Sequence, residues 1–158
     1  MSGFDIQFLK RAIELAQHNI TSGNGGPFGA VIVREGKIIA EGANHVTINN
    51  DPTAHAEVVA IREACKKLNT FQLENCEIYC SCEPCPMCLG AIYWARPKAV
   101  YFAASKQDAA DAGFDDSFIY EEIALPIAKR SIPTMHHSMQ AAIEVFRKWT
   151  DSENKTEY

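Results

Sequence analysis

The sequence predicts one α/β domain in which a mixed sheet is covered by helices on both faces. Three observations predict it. Helical periodicity and short apolar runs alternate along the chain after an initial hairpin. No repeat, linker or low-complexity segment divides the 158 residues. A chain of that length can bury about 68–70% of its unfolded surface, so it needs no disulfides to hold a core.

Phe4, Phe8, Leu9, Ala12, Ile13, Ala16 and Ile20 recur on one helical face, opposite Lys10, Arg11, Glu14 and Gln17. This first helix stops at the breaker cluster Ser22-Gly23-Asn24-Gly25-Gly26-Pro27. Phe28 to Val33 and Lys37 to Glu41 are apolar runs joined by Arg34-Glu35-Gly36, which predicts a hairpin. Asp51-Pro52 resembles an N-cap followed by a first-turn proline, starting a helix to about Leu68 that buries Val58, Val59, Ile61, Ala64, Cys65 and Leu68. Glu77 to Ser81 is the third strand, Pro86 begins a helix that Pro97 ends, and Ala99 to Ala103 is the fourth strand. A polar stretch from Ser105 to Ser117 precedes a short helical segment, and a last helix runs from about Met135 to Trp149.

A hydrophobic fraction of 47% and a charged fraction of 22% are those of an ordinary soluble globular protein. Fifteen basic against twenty acidic residues give a formal charge of −5, which argues against a protein that binds nucleic acid by neutralising phosphates. No apolar run approaches the ~20 residues of a membrane span. Met1-Ser2-Gly3-Phe4-Asp5 enters the amphipathic pattern without a basic or apolar leader, so the cytoplasm is the expected location. Of six cysteines, Cys80, Cys82, Cys85 and Cys88 crowd into nine residues, a spacing that suggests metal binding rather than disulfides.

His55-Ala56-Glu57 and Pro84-Cys85-Pro86-Met87-Cys88 carry the chemistry. Cys85 falls at the start of a helix and Cys88 three residues on, so both sulfurs can face one ion. The helix N-terminus favours their thiolate forms. His55, near the start of the preceding helix, supplies a third ligand. One imidazole and two thiolates suit Zn²⁺ and leave a fourth position for water. Glu57, two residues from the histidine, can move that water's proton, which predicts a hydrolytic enzyme.

Other readings of these residues exist. A structural zinc site would take Cys82 as fourth ligand but leaves Glu57 without a use. A thioredoxin-like CxxC also sits at a strand-to-helix turn, but the neighbouring His-x-Glu and third cysteine speak against it. A ferredoxin cluster would need its next cysteine at position 92, which is Ile92. Cys65, Cys76 and Cys80 are expected to be buried, inert thiols. Gly23 to Gly29 leads into a strand and lacks the ending of a phosphate loop. His18, His45, His136 and His137 have no ligand spacing and are expected at the surface.

H-x-E…P-C-x-x-C is the signature of zinc nucleobase deaminases, and His55, Glu57, Pro84, Cys85 and Cys88 fill it. Beyond the signature, Gly25-Gly26-Pro27-Phe28-Gly29-Ala30, Asp51 to Glu57, Ser81 to Cys88 and Ala112-Gly113-Phe114-Asp115-Asp116 together resemble guanine deaminases of the cytidine-deaminase fold. The resemblance covers most of the chain and is weakest over Ser131 to Lys155. It implies a three-layer α/β/α domain around a mixed five-stranded sheet, one Zn²⁺ per subunit, and hydrolysis of guanine to xanthine and ammonia. It further implies that residues 1–158 form one deaminase-type domain, with 131–158 exchanged between the subunits of a homodimer.

Carried over position by position, Asn44 resembles the family's base-edge amide, and Phe28 and Trp94 resemble the walls that sandwich the purine. Asp116 resembles the carboxylate that accepts hydrogen bonds from the guanine edge, and Tyr158 the terminal aromatic that closes the pocket from a partner subunit. Taken singly, Asn44 is also a common turn residue, and Trp94 falls on the core-facing side of its helix, where packing explains it. Asp115 and Asp116 could be a helix cap and its neighbour, and Tyr158 an unconstrained terminus.

The expected partner is a small-molecule purine. A tRNA adenosine deaminase would share the metal motif but must hold a phosphate backbone, against which the acidic balance speaks. A plant-type guanosine deaminase shares the glycine loop, the metal motif and Gly113-Phe114-Asp115-Asp116, and stays open, as do side activities on cytosine or triazine amines. A zinc-stabilised binding module without catalysis is the reading from another class, and it has no use for Glu57.

Overall fold

Side chains alternate across a strand, so a strand that is apolar on both sides needs cover on both faces of its sheet. Strand β1 (Gly29–Arg34) is such a strand. In the structure, a computed structural model describing residues 3–158, Ala30 and Ile32 enter one core with Ala56, Ala60, Ala64, Ile92 and Ala95. Val31 and Val33 enter a second core with Leu9 and Tyr79. Met1 and Ser2, with which the N-terminal reading begins, lie outside the described residues.

The second core is roofed by helix α1 (Ile6–Thr21), the first by α3 (Ala56–Leu68) and α4 (Pro86–Ala95). Between them lies a sheet of order β2-β1-β3-β4, with β2 at Lys37–Ala43, β3 at Cys76–Cys82 and β4 at Ala99–Ala104. β1 pairs antiparallel with β2 and β3, and β3 pairs parallel with β4. The expected mixed sheet between two helical layers is therefore present. The hairpin turn is a two-residue one, with Glu35 at φ 52° and Gly36 at φ 72°, the left-handed conformations that match strand twist.

Several of the expectations need correction. The sheet has four strands among the described residues, not five. Beyond β4 the chain is redirected at Ser105, which forms a capping box with Asp108 and starts α5 (Lys106–Asp111) inside the stretch expected to lack a helix. Asp51 does not cap α3. Its carboxylate accepts from the Thr53 N–H at 2.8 Å and hydroxyl at 2.6 Å, closing a local turn, and His55 is the N-cap instead. A short helix α2 (Val46–Asn49), absent from the expectation, fills part of that connection. On α1 the buried residues are Leu9, Ala12, Ala16 and Asn19, while Ile13 and Ile20 are 44% and 52% exposed. The buried stripe thus ends on a polar residue.

The chain forms two compact units, the first reaching Asp116 and the second running from Ser117 to Tyr158. The second is helical: α6 (Ser117–Ala124), a 3-10 turn at Ile127–Lys129, and α7 (Gln140–Asp151), which starts later than the expected Met135. None of these helical residues is buried. No helix among the described residues is long and apolar enough to cross a membrane.

Candidate active site

Two helices begin at the same place. β3 runs into α4 through Glu83 and Pro84, making Cys85 the N-cap and Pro86 a first-turn residue, where a missing N–H costs nothing. The Cys85 sulfur accepts from the Cys88 N–H at 3.5 Å. From the other side, the loop after β2 is pinned by the His45 N–H donating to Ala54 O at 2.9 Å, and α3 starts at His55. Gly42 lets α3 lie directly on β2: a Cβ there would stand 2.2 Å from Ala56 O and 2.7 Å from Ala60 N. That backbone-to-backbone approach brings the two N-caps together.

His55 Nδ1 lies 3.5 Å from the Cys85 sulfur and 3.5 Å from the Cys88 sulfur. One donor atom from each of the three residues falls within 4.8 Å of the others. Hydrogen bonds from the Cys88 thiol, His55 and the Cys88 N–H bring Cys85 down to about 4 against the burial that opposes them. The Cys88 thiol is pushed up, first by donating to Cys85 and then by burial. His55 is raised by its bond to Cys85. A borderline-soft dication would relieve this competition for protons, because it would take both sulfurs as thiolates and the imidazole as neutral nitrogen. The donor set fits zinc. Cys82 is not part of it: its thiol points to Ser105 O at 3.5 Å and burial pushes it up to about 11.

Glu57 sits in the first turn of α3, 7% exposed, with Oε2 3.4 Å from the Cys88 sulfur. Burial raises its carboxyl above the usual carboxylate range, a direction that suits a group exchanging protons near neutral pH.

His55, Glu57 and Cys85 line a cavity of about 520 Å³. The same cavity is lined by Gly25, Gly26 and Phe28, by Asn44, Val46 and Thr47, and by Glu83, Lys106, Phe114, Asp115 and Asp116. Phe28 and Phe114 meet edge to face, centroids 5.0 Å apart at 88°. The Asn44 Oδ1 accepts from the Val46 N–H at 3.3 Å, which leaves the Asn44 Nδ2 as the atom offered to a ligand. Burial raises the Asp116 carboxyl, with the nearby Cys85 charge adding to it.

The structure thus gathers His55, Glu57, Cys85, Phe28, Asn44 and Asp116 around one cavity, with Cys88 completing the donor trio. The core-facing placement expected for Trp94 needs correction. The buried stripe of α4 is Cys88, Ile92 and Ala95, and two residues on from Ile92 a helix has turned more than halfway round. Trp94 is accordingly 63% exposed, away from the core-facing side expected for it, and is not among the cavity's lining residues. Phe114 supplies a second aromatic and Lys106 a cationic group to the lining, neither expected as a site residue. The signal for Phe114 lay in Gly113-Phe114-Asp115-Asp116, where a helix ends at a glycine of φ 92°. Tyr158, in the second unit, is 70% exposed.

Comparison with known proteins fits this geometry. Residues 2–104 match the family described as the cytidine and deoxycytidylate deaminase zinc-binding region. The chain is 61% identical over 151 residues to the guanine deaminase of Bacillus subtilis (strain 168), spanning 96% of this chain and 97% of that protein. The X-ray structure of guanine deaminase from Bacillus subtilis superposes with a TM-score of 0.96 at 59% identity, covering 99% of each chain. A tRNA-specific adenosine deaminase of Aquifex aeolicus (strain VF5) is 48% identical over 97 residues, 61% of this chain and 64% of that protein.

Proposed function

We propose that this chain, which belongs to the cytidine and deoxycytidylate deaminase zinc-binding family, hydrolyses guanine to xanthine and ammonia. The observation that carries the reading is a buried carboxylate, Glu57, placed against the His55, Cys85 and Cys88 trio at the base of a cavity walled by rings and an amide. The near full-length similarity to a guanine deaminase supports the choice of base.

His55, Cys85 and Cys88 would hold zinc, which supplies, when bound, an acidified water as a nucleophile at neutral pH. The remaining steps belong to the protein. Phe28 and Phe114 hold the flat ring, and the Asn44 Nδ2 donates to an acceptor on its edge. Asp116, on the cavity lining, accepts from the N–H groups of guanine. Glu57 Oε2 takes the water's proton and gives it to a ring nitrogen. The same carboxyl then carries a second proton to the departing amine, because an amide anion is too basic to leave unprotonated.

In the same reading residues 1–158 act as one deaminase domain in a cytoplasmic homodimer. Residues 131–158 are exchanged, so that the partner subunit's Tyr158 closes the cavity. The exposed Ile143, Phe146 and Trp149 of α7 support a covered position for that helix. Assay of ammonia release on guanine, guanosine, adenine, cytosine and tRNA tests the activity. Guanine is expected to lead, and no release from guanine by zinc-loaded protein would overturn the reading.

A further inference from the structure

Asn19 is polar, 2% exposed, and sits on the apolar stripe of α1. A buried amide is retained at a cost unless its hydrogen bonds are made. Its Nδ2 donates to Gly26 O at 2.8 Å and to Asn44 O at 2.9 Å. Both partners are carbonyl oxygens, and the two protons of the amide nitrogen serve one each. Gly26 and Asn44 both line the cavity, and neither bond involves the donor trio or Glu57.

The two segments touch at that point. A Cβ on Gly25 would stand 2.3 Å from Asn44 O and 3.1 Å from Asn19 Nδ2. Asn44 N–H also donates to Phe28 O at 3.2 Å, and Phe28 N–H to Gly26 O at 2.9 Å. One buried side chain thus closes a ring of hydrogen bonds running from the glycine loop through Phe28 to Asn44.

We propose that Asn19 is a positioning residue for substrate recognition: by tying Gly26 to Asn44 it sets the spacing between the Phe28 ring and the Asn44 amide, and so the affinity for a flat base. This rests on the reading that the cavity takes a purine. Asn19 does not touch the ligand; it acts through Asn44 and the loop.

Asn19→Asp keeps the shape and removes both donors. It is expected to raise KM for guanine about tenfold, the cost of one or two misplaced hydrogen bonds, with kcat little changed and zinc stoichiometry intact. In an Asn44→Ala background the same substitution should add almost nothing to KM, because its route to substrate is gone. Lowered stability with unchanged KM, or full additivity with Asn44→Ala, overturns the proposal. If Asn19→Asp does not fold, Gly25→Ala forces the same two segments apart with Asn19 in place; the same rise in KM is expected, and an unchanged KM overturns the proposal. Wild-type protein run in parallel separates the two readings: if it releases ammonia from another base of the panel and not from guanine, the shift in KM is read on that base.

Discussion

Alanine fills much of the core between the sheet and α3 and α4, whereas aromatic rings fill the layer between the sheet and α1. On the first face Ala30, Ala40, Ala56, Ala60 and Ala64 let helix and sheet backbones approach closely, as the Gly42 contact shows. On the other, Tyr79 meets Tyr101 at a tilt, centroids 4.8 Å apart, and Phe8 edge to face at 5.3 Å. Small side chains draw two helix N-termini to one point, and a metal site needs that convergence. Bulky rings contribute packing under α1. α1 comes close at Gly29, where a Cβ would stand 2.2 Å from Ala12 O, at the end of β1 that leads from the cavity. Chemistry and bulk stability are thus divided between faces.

The sharpest test of that division is Glu57→Gln on the α3 face. It should lower kcat by roughly 10²–10⁴-fold with zinc retained, measured by metal analysis beside steady-state rates. Near-normal turnover would remove the proton-carrying role from Glu57.

Next come two neighbours on β3 that point to opposite faces. Ile78, fully buried against the alanine-rich core, should cost about 2–5 kcal/mol as Ile78→Ala. Tyr79 donates its hydroxyl to Glu77 Oε2 at 3.2 Å and accepts from the Asp5 N–H at 3.2 Å. Tyr79→Phe should cost about 0.5–1.5 kcal/mol and leave zinc content and KM alone. Urea denaturation with metal analysis decides it, and loss of zinc in Tyr79→Phe would break the division of faces.

The smallest effect is expected at the surface, where Arg11 of α1 reaches Glu41 of β2 with Nε–Oε1 2.7 Å. The hydrogen bond from Arg11 holds the Glu41 carboxyl below its ordinary value. A depressed carboxyl stabilises the fold above its unfolded pKa, about 4.3, and that contribution is lost as pH falls through the folded value. Both side chains are more than a third exposed, so Glu41→Gln should lower stability at pH 7 by about 0.2–1 kcal/mol. The difference should vanish at pH below the folded value. Equal Tm at pH 7 and a gap only in acid would contradict the assignment.

Much of the site was legible before any coordinates. His55, Glu57, Cys85 and Cys88 announce themselves because metal ligation demands particular atoms at particular spacings, and spacing survives in a linear text. Asn19 and Phe114 did not, since each acts through a partner far away in sequence: Asn19 through Asn44, Phe114 through Phe28. Trp94 was misplaced because a short, almost wholly apolar helix gives no clear periodicity to say which side faces in. The start of α3 was misplaced for a local reason: Asp51 can cap a helix or close a turn with Thr53, and both use the same carboxylate.

The sequence alone determined the alternation of helices and strands and the ligand chemistry, because both depend on residue type and short-range spacing. Tertiary structure alone decided how many strands pair, which ring faces the cavity and which polar residue is buried on α1. Those outcomes depend on contacts between segments tens of residues apart, where packing and hydrogen-bond satisfaction outweigh local preference.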